Sequence, residues 1–287
     1  MRSRTRVLRL IFYAVFAAAF TATFYGVFGG GPRQAASSPN VNMAISPRLG
    51  YKHLGAIPAT LVPHAADPPT HKRLVFIGDV HGMHTELQAL LRKLRYDAST
   101  DHLVFTGDVV TKGPDSLKVV EFARRANASC VRGNQDDRVL LHYRNRVSGT
   151  QDSLSDDEDD TTASTVSPSE KRIRADKRLA RKMTRAQAKW LNSCPVILTA
   201  AAVNGLGNVA VVHAGLVHGV GLAQQDPMSV MTMRSIDGRL RVPSSESGGT
   251  HWAHVWNRHE RSAGEPTTVI YGHYAKRGLD IRPLTKG

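Results

Sequence analysis

Three apolar runs in the first half of this chain each stop at a glycine followed by an acid or an amide. Leu74-Val75-Phe76-Ile77 runs into Gly78-Asp79, and Leu103-Val104-Phe105 into Gly107-Asp108. Ala128-Ser129-Cys130-Val131 runs into Arg132-Gly133-Asn134. Short apolar runs without polar alternation predict buried strands. Between them, Leu87, Leu90, Leu91 and Leu94 recur at helical spacing, as do Leu117, Val120 and Phe122. A β-α-β-α-β order predicts a parallel sheet covered by helices. It also puts each glycine-acid pair at the C-terminal end of a strand, where the loops of an open α/β sheet converge.

The second half reads less regularly. Residues 134–147 predict a helix, as do 184–192 and 226–233. Residues 196–203 and 209–212, separated by a turn at 204–208, predict a β-hairpin. Residues 267–271 predict a last strand that runs into Gly272-His273. These later strands predict a second sheet. The expected fold class is therefore α/β, a two-sheet β-sandwich flanked by helices.

A chain of 287 residues accommodates one sizeable domain and extra segments. Residues 10–28 carry no charge and are rich in Phe, Ala, Val and Tyr, enough for one membrane crossing. Arg2, Arg4, Arg6 and Arg9 precede this run, and the positive-inside rule keeps them in the cytosol. The expected layout is a basic tail over residues 1–9, a transmembrane signal anchor over 10–29 and a flexible stalk over 30–70. The folded domain then spans 71–287, across the membrane from the tail. Residues 148–170 hold Asp156-Asp157-Glu158-Asp159-Asp160 among Ser and Thr and are expected to be a disordered acidic insertion. They lack the fixed spacing and the glycine of a calcium loop.

The formal charge of +14 points to an acidic partner, a membrane surface or an anionic substrate. Part of it is the N-terminal tail and part a basic stretch over residues 171–189. No zinc-finger spacing and no RNA-recognition motif supports nucleic-acid binding. Cys130 and Cys194 have no partners at zinc-ligand spacing. Cys130 reads as a small core residue in its strand, with a bridge to Cys194 as the less favoured alternative. A sequon, Asn127-Ala128-Ser129, falls at a strand edge close to the metal motifs, which argues against its use.

The polar residues at the strand ends form a ligand set. Asp79, His81, Asp108, Asn134, His213 and His273 offer oxygen and nitrogen donors suited to two divalent ions. Such a pair would share a hydroxide and drop its pKa toward neutrality, the chemistry of phosphate ester and anhydride hydrolysis. Mixed donors favour Zn²⁺, Mn²⁺, Co²⁺ or Fe over Mg²⁺ and Ca²⁺. The other histidines, His71, His84, His102, His142, His218 and His259, lack this strand-end context and receive no role.

Taken in order, Gly78-Asp79-Val80-His81-Gly82, Gly107-Asp108, Gly133-Asn134, His213 and Gly272-His273 resemble the calcineurin-like metallophosphoesterases of the phosphoprotein-phosphatase superfamily. The resemblance covers the chain from about Arg73 onward, without the insertion. It implies Asp79 and His81 on a first metal, Asp108 bridging, and Asn134, His213 and His273 on a second. It implies Arg132 facing the phosphate, and Arg234 as a second phosphate clamp. It also implies one or two further strands after the Gly-His motif, so that the fourteen residues after His273 read as a shortened ending.

Two departures from the protein-phosphatase pattern bear on substrate. The usual Gly-Asn-His-Glu is Gly133-Asn134-Gln135-Asp136 here, and the replaced His is the group thought to protonate the leaving alkoxide. Gln135 cannot do so, although Asp136 remains a candidate acid. A phosphate leaving group, with a second pKa of about 6, needs no such help. Lys112 stands where protein phosphatases carry Arg, offering a point charge rather than a bidentate fork.

Within the superfamily the wording is most similar to fungal vacuolar zinc-dependent endopolyphosphatases. The matching stretches are Gly78-Asp79-Val80-His81-Gly82, Lys112-Gly113-Pro114-Asp115-Ser116-Leu117-Lys118-Val119, Ser129-Cys130-Val131-Arg132-Gly133-Asn134, Gln225-Asp226-Pro227-Met228, and Tyr271-Gly272-His273 with Ala275-Lys276-Arg277-Gly278-Leu279-Asp280. This resemblance implies a membrane-tethered enzyme with its domain in the vacuole lumen, cutting within inorganic polyphosphate. The alternatives are a serine/threonine protein phosphatase, a diadenosine-tetraphosphate hydrolase, and a membrane-tethered binding protein with an impaired site.

Overall fold

Alternation within the apolar runs explains the layers. In a computed structural model of the chain, residues 51–64, 72–149, 167–237 and 239–287 are described. On β2 (Arg73–Ile77), Val75 and Ile77 face one core while Phe76 faces another. On β3 (Asp101–Phe105), Leu103 and Phe105 take the first face and Val104 the second. A strand with a core on each face has no polar side, hence the unbroken apolar runs.

β2, β3 and β4 (Ser129–Cys130) form a parallel three-stranded sheet, with Val75 opposite Leu103 and Phe105 opposite Cys130. Helices α1 (His84–Lys93) and α2 (Ser116–Arg125) cross between these strands. Leu87 and Leu91 of α1, and Val119, Val120 and Ala123 of α2, are buried on them. α3 (Asn134–Val147) follows β4, then α4 (Pro168–Lys182) and α5 (Arg185–Ser193).

The second sheet has six strands in the order β1 (Leu54–Ala56), β5 (Ile197–Val203), β6 (Gly207–Val212), β10 (Thr267–Ile270), β12 (Thr285–Lys286) and β11 (Ile281–Arg282). β5 and β6 form the expected hairpin, and β10 runs parallel to β6. Val209, Val211 and Ile270 face the first sheet across a shared core that includes Phe76, Val104 and Val131. Val212, Ala210 and Val269 face the other way, against α6 (Pro227–Thr232) and α7 (Trp252–Glu260), where Met231, Trp252 and Trp256 are buried. The result is helices, sheet, sheet, helices, as the sequence predicts. β7 (Ser235–Ile236), β8 (Pro243–Ser244) and β9 (Thr250–His251) make a small antiparallel sheet beside α6 and α7. β11 (Ile281–Arg282) and β12 (Thr285–Lys286) follow His273 and extend the large sheet beyond β10.

Several expectations change. The stalk expected over residues 30–70 gives way by residue 51: β1 (Leu54–Ala56) pairs in parallel with β5, and Ile57 and Val62 are buried between the sheets. The end of the expected insertion is ordered, because Ser167 and Glu170 form a reciprocal capping box that opens α4. The acidic run itself lies outside the described residues, as do the tail and the expected anchor. Among the described residues no helix is long and apolar enough to cross a membrane. Cys130 and Cys194 are joined by a disulfide, with Cα atoms 5.1 Å apart. Both are buried, so the reading of Cys130 as a core residue is right about its place and misses its bond.

Candidate metal centre

The donors converge because the strands that precede them are parallel neighbours. β2, β3 and β4 deliver Asp79, Asp108 and Asn134 from one sheet, and β6 and β10 deliver His213 and His273 from the other. Asp79, His81 and Asp108 form one cluster, and Asp108, His213 and His273 a second. Within each cluster the ligand atoms lie within 4.8 Å of one another. Asp108 belongs to both, as a shared carboxylate requires. Asn134 joins the second through its Oδ1, 3.1 Å from His213 Nε2.

The backbone is bent to make this possible. His81, Asp108 and His273 adopt φ of 48°, 50° and 71°, left-handed values that side-chain-bearing residues seldom take. Thr111 and Lys112 do the same, at 74° and 59°. Such strain concentrates where a site over-determines the chain. His81 N donates to the Asp108 carbonyl at 2.9 Å, and Gly113 N to the His81 carbonyl at 2.7 Å. At Gly133 a Cβ would lie 2.2 Å from both Asp108 N and Asp108 Oδ1, so no side chain fits there. Gly107 combines a φ of 94° with His213 Nδ1 2.7 Å from where its Cβ would sit.

His213 is fully buried, and its Nδ1 donates to the Thr106 carbonyl at 2.8 Å. That bond commits Nδ1 and leaves Nε2 as the nitrogen that could coordinate a metal. Nothing in the identity of Thr106 announces this role, because a backbone oxygen performs it. Burial works against a charge on His213, but the Asp108 and Asp79 carboxylates outweigh it and push the imidazole up to about 10. Burial likewise opposes the charge of Asp108, yet His213, His81 and the Gln135 amide hold it at about 2. Burial, and then the neighbouring His213, push His273 down to about 3. His273 Nε2 is buried without a partner. A pocket that draws positive charge inward, with a stranded imidazole nitrogen and a shared carboxylate, fits two divalent ions.

The remaining expected residues are placed unequally. Lys112 is exposed at the rim with its Nζ 2.6 Å from His81 Nε2. Arg234 bonds the Ser245 carbonyl and stacks 5.5 Å above the Tyr274 ring, and its charge helps depress His273. Tyr274, the residue after a metal donor, thus buttresses the expected clamp, a role its sequence position did not suggest. Gln135 donates its backbone N–H to Asp108 Oδ1 at 2.9 Å. Arg132 does not face the centre. It is fully buried and bonds Asp137 and the Asn192 carbonyl and side chain, tying α3 to the end of α5. Asp136 is also buried. Its Oδ1 accepts from Val109 N and Val110 N, and its Oδ2 from Gly133 N. It braces the Asp108 loop against the Gly133 turn and leaves no oxygen for a leaving group. A cavity of about 80 Å³ beside the first cluster is lined by Asp79, Thr106, Tyr271, His273, Tyr274 and Arg277 among others.

The fold and centre define a metallophosphoesterase. The model of the calcineurin-like phosphoesterase family matches residues 72–281, and the chain belongs to that family. Among curated relatives, the symmetrical bis(5'-nucleosyl)-tetraphosphatase of Erwinia tasmaniensis is 47% identical over 87 residues, 28% of this chain and 30% of the relative. That of Baumannia cicadellinicola is 45% identical over 78 residues, 25% of this chain and 27% of the relative. The matches thus span under a third of these relatives' length. A crystal structure of a provisionally assigned diadenosine tetraphosphatase superposes with a TM-score of 0.61 at 28% identity, covering 83% of this chain and 87% of that one.

Proposed function

We propose that the chain hydrolyses phosphoanhydride bonds, with a dinucleoside tetraphosphate as substrate. The observation that carries this is the leaving-group position. Gln135 stands where protein phosphatases hold their acid, and Asp136, the neighbouring candidate, is committed to the Val109, Val110 and Gly133 amides. A departing phosphate needs no proton at neutral pH, whereas a serine alkoxide does. The similarity to symmetrical tetraphosphatases supports the same choice.

Asp79, His81 and Asp108 would hold one divalent ion, and Asp108, Asn134, His213 and His273 the other. Zinc is the proposed metal. The ions would activate water and neutralise phosphoryl oxygens. The protein's part is orientation: Thr106 holds His213 Nδ1, Gln135 and Asp136 fix the Asp108 loop, and Lys112 and Arg234 supply cations for the phosphate chain. Arg132 acts from behind, as a brace.

Inorganic polyphosphate is a second reading. It is favoured by the single exposed charge of Lys112 in place of a fork, and by the surplus of +14 on the chain. The reading includes a membrane anchor over residues 10–29 and a lumenal, vacuolar domain. A disulfide in the domain supports an oxidising compartment.

The full chain, supplied with Zn²⁺, Mn²⁺ or Co²⁺, should convert diadenosine tetraphosphate to two nucleoside diphosphates. Shortening of long-chain polyphosphate instead supports the second reading. Turnover confined to a phosphopeptide would sink both.

A further inference from the structure

We infer that Asn127 carries an N-linked glycan, a modification that rests on the lumenal reading above. Asn127-Ala128-Ser129 has the acceptor pattern, with no proline in the middle. The pattern alone is weak, and its nearness in sequence to Arg132-Gly133-Asn134 argued against it. The structure reverses that argument. Asn127 lies in the turn between α2 and β4, at the N-terminal end of the strand, whereas the metal donors sit at the C-terminal ends. Ser129 pairs with Val104, four residues before Asp108, while Asn127 lies two residues before Ser129. At roughly 3.3 Å per extended residue the separation along the strand direction is at most on the order of 20 Å, with the two sites at opposite ends of the sheet. A glycan there leaves the centre open.

The local geometry suits a bulky substituent. Asn127 is exposed and holds a φ of 51°, a turn value asparagine tolerates better than most residues. Its side-chain amide makes no hydrogen bond among the described residues. Ser129, by contrast, is engaged in the folded state, its Oγ 2.8 Å from His102 Nε2. Transfer therefore has to precede the docking of β4 on β3. Chain order allows this. The partner of Cys130 lies 64 residues further along, so the acceptor segment is exposed to a lumenal transferase before the Cys130–Cys194 bond can form. The disulfide also gives a separate reason to place this domain where such transferases work.

The step needs a polyprenyl-pyrophosphate-linked oligosaccharide as co-reactant. Asn127 Nδ2 forms a C–N bond to the anomeric carbon. The C–O bond to pyrophosphate breaks, the polyprenyl pyrophosphate leaves with the electron pair, and the amide loses one proton.

Translating the full chain with endoplasmic-reticulum microsomes tests this. The expected product is protected from added protease, migrates as one discrete slower species, and shifts back on treatment with peptide N-glycosidase, which leaves Asp at position 127. N127Q and S129A should lose the shift, S129T should keep it, and N127Q should hydrolyse substrate at the wild-type rate. A protease-protected chain with no glycan overturns the inference and leaves the lumenal reading standing. A chain left outside the microsomes and fully digested overturns the lumenal reading, and the inference with it.

Discussion

The three-stranded sheet and the six-stranded sheet hold their candidate metal ligands by different means. On the first, Asp79, His81 and Asp108 sit in loops laced together by backbone hydrogen bonds, from His81 N to the Asp108 carbonyl and from Gly82 N to the Val109 carbonyl, and Asn134 opens α3. Asp136 fastens the same loops from beneath. On the second, His213 and His273 stand at the ends of adjacent parallel strands; His213 Nδ1 donates to the Thr106 carbonyl, and His213 Nε2 lies 3.1 Å from His273 Nδ1. The two sides meet where His273 N donates to Asp79 Oδ1 at 2.9 Å. Carboxylates that repel each other need a stiff frame, whereas imidazoles that are to coordinate a metal need only the right ring orientation.

Asp108→Asn should have the largest effect, because it removes the charge common to both clusters. Losing an outer-shell partner costs about 10–100-fold in metal affinity or activity, and this change should cost more. Turnover and bound metal per chain are the readouts. Full activity would break the shared-carboxylate reading. Next comes the Cys130–Cys194 bond, which ties β4 to the segment just before β5 and closes a 64-residue separation. Chain-entropy arguments give about 4 kcal/mol for a loop of that length. Thermal melts with and without reductant should differ accordingly, and superimposable melts would remove the bond from the account.

Asp136→Ala should cost as much stability as losing that bond, or more. It strands the Val109, Val110 and Gly133 amides in the interior, at about 1–3 kcal/mol for each unsatisfied group. Urea titration should show the loss. If the centre needs that brace, kcat falls along with stability; kcat kept in the folded fraction would make Asp136 purely structural. Arg234→Ala should be the smallest, a rise in KM corresponding to about 1 kcal/mol with kcat nearly kept, since the side chain would clamp rather than react. An unchanged KM would leave Arg234 with only its contacts to Ser245 and Tyr274.

The sequence made the donors legible for a physical reason. Glycine followed by Asp or Asn after an apolar run marks a sharp exit from a buried strand, and the parallel order brings such exits together. The motif around Arg132 points it toward the candidate ligands, whereas strand alternation points it away. Residues 130 and 132 share a face of an extended chain, and Cys130 points to Cys194 while Arg132 reaches Asn192. Both reach the same segment, away from the metals. Asp136 was read as an acid because a carboxylate in sequence gives no sign of the amides it will meet. β1 was lost in the stalk because Leu54-Gly55-Ala56 has no apolar alternation of its own. Its strand character comes from β5, more than a hundred residues away.

That last strand bears on where this protein can be cut. The family match begins at residue 72, but the large sheet begins at Leu54. A gene trimmed to the family limits would encode every metal donor and still strip the neighbour from β5, baring a row of backbone groups that invites other chains to pair. The family match and the large sheet have different first residues, and trimming at the later one should favour aggregation.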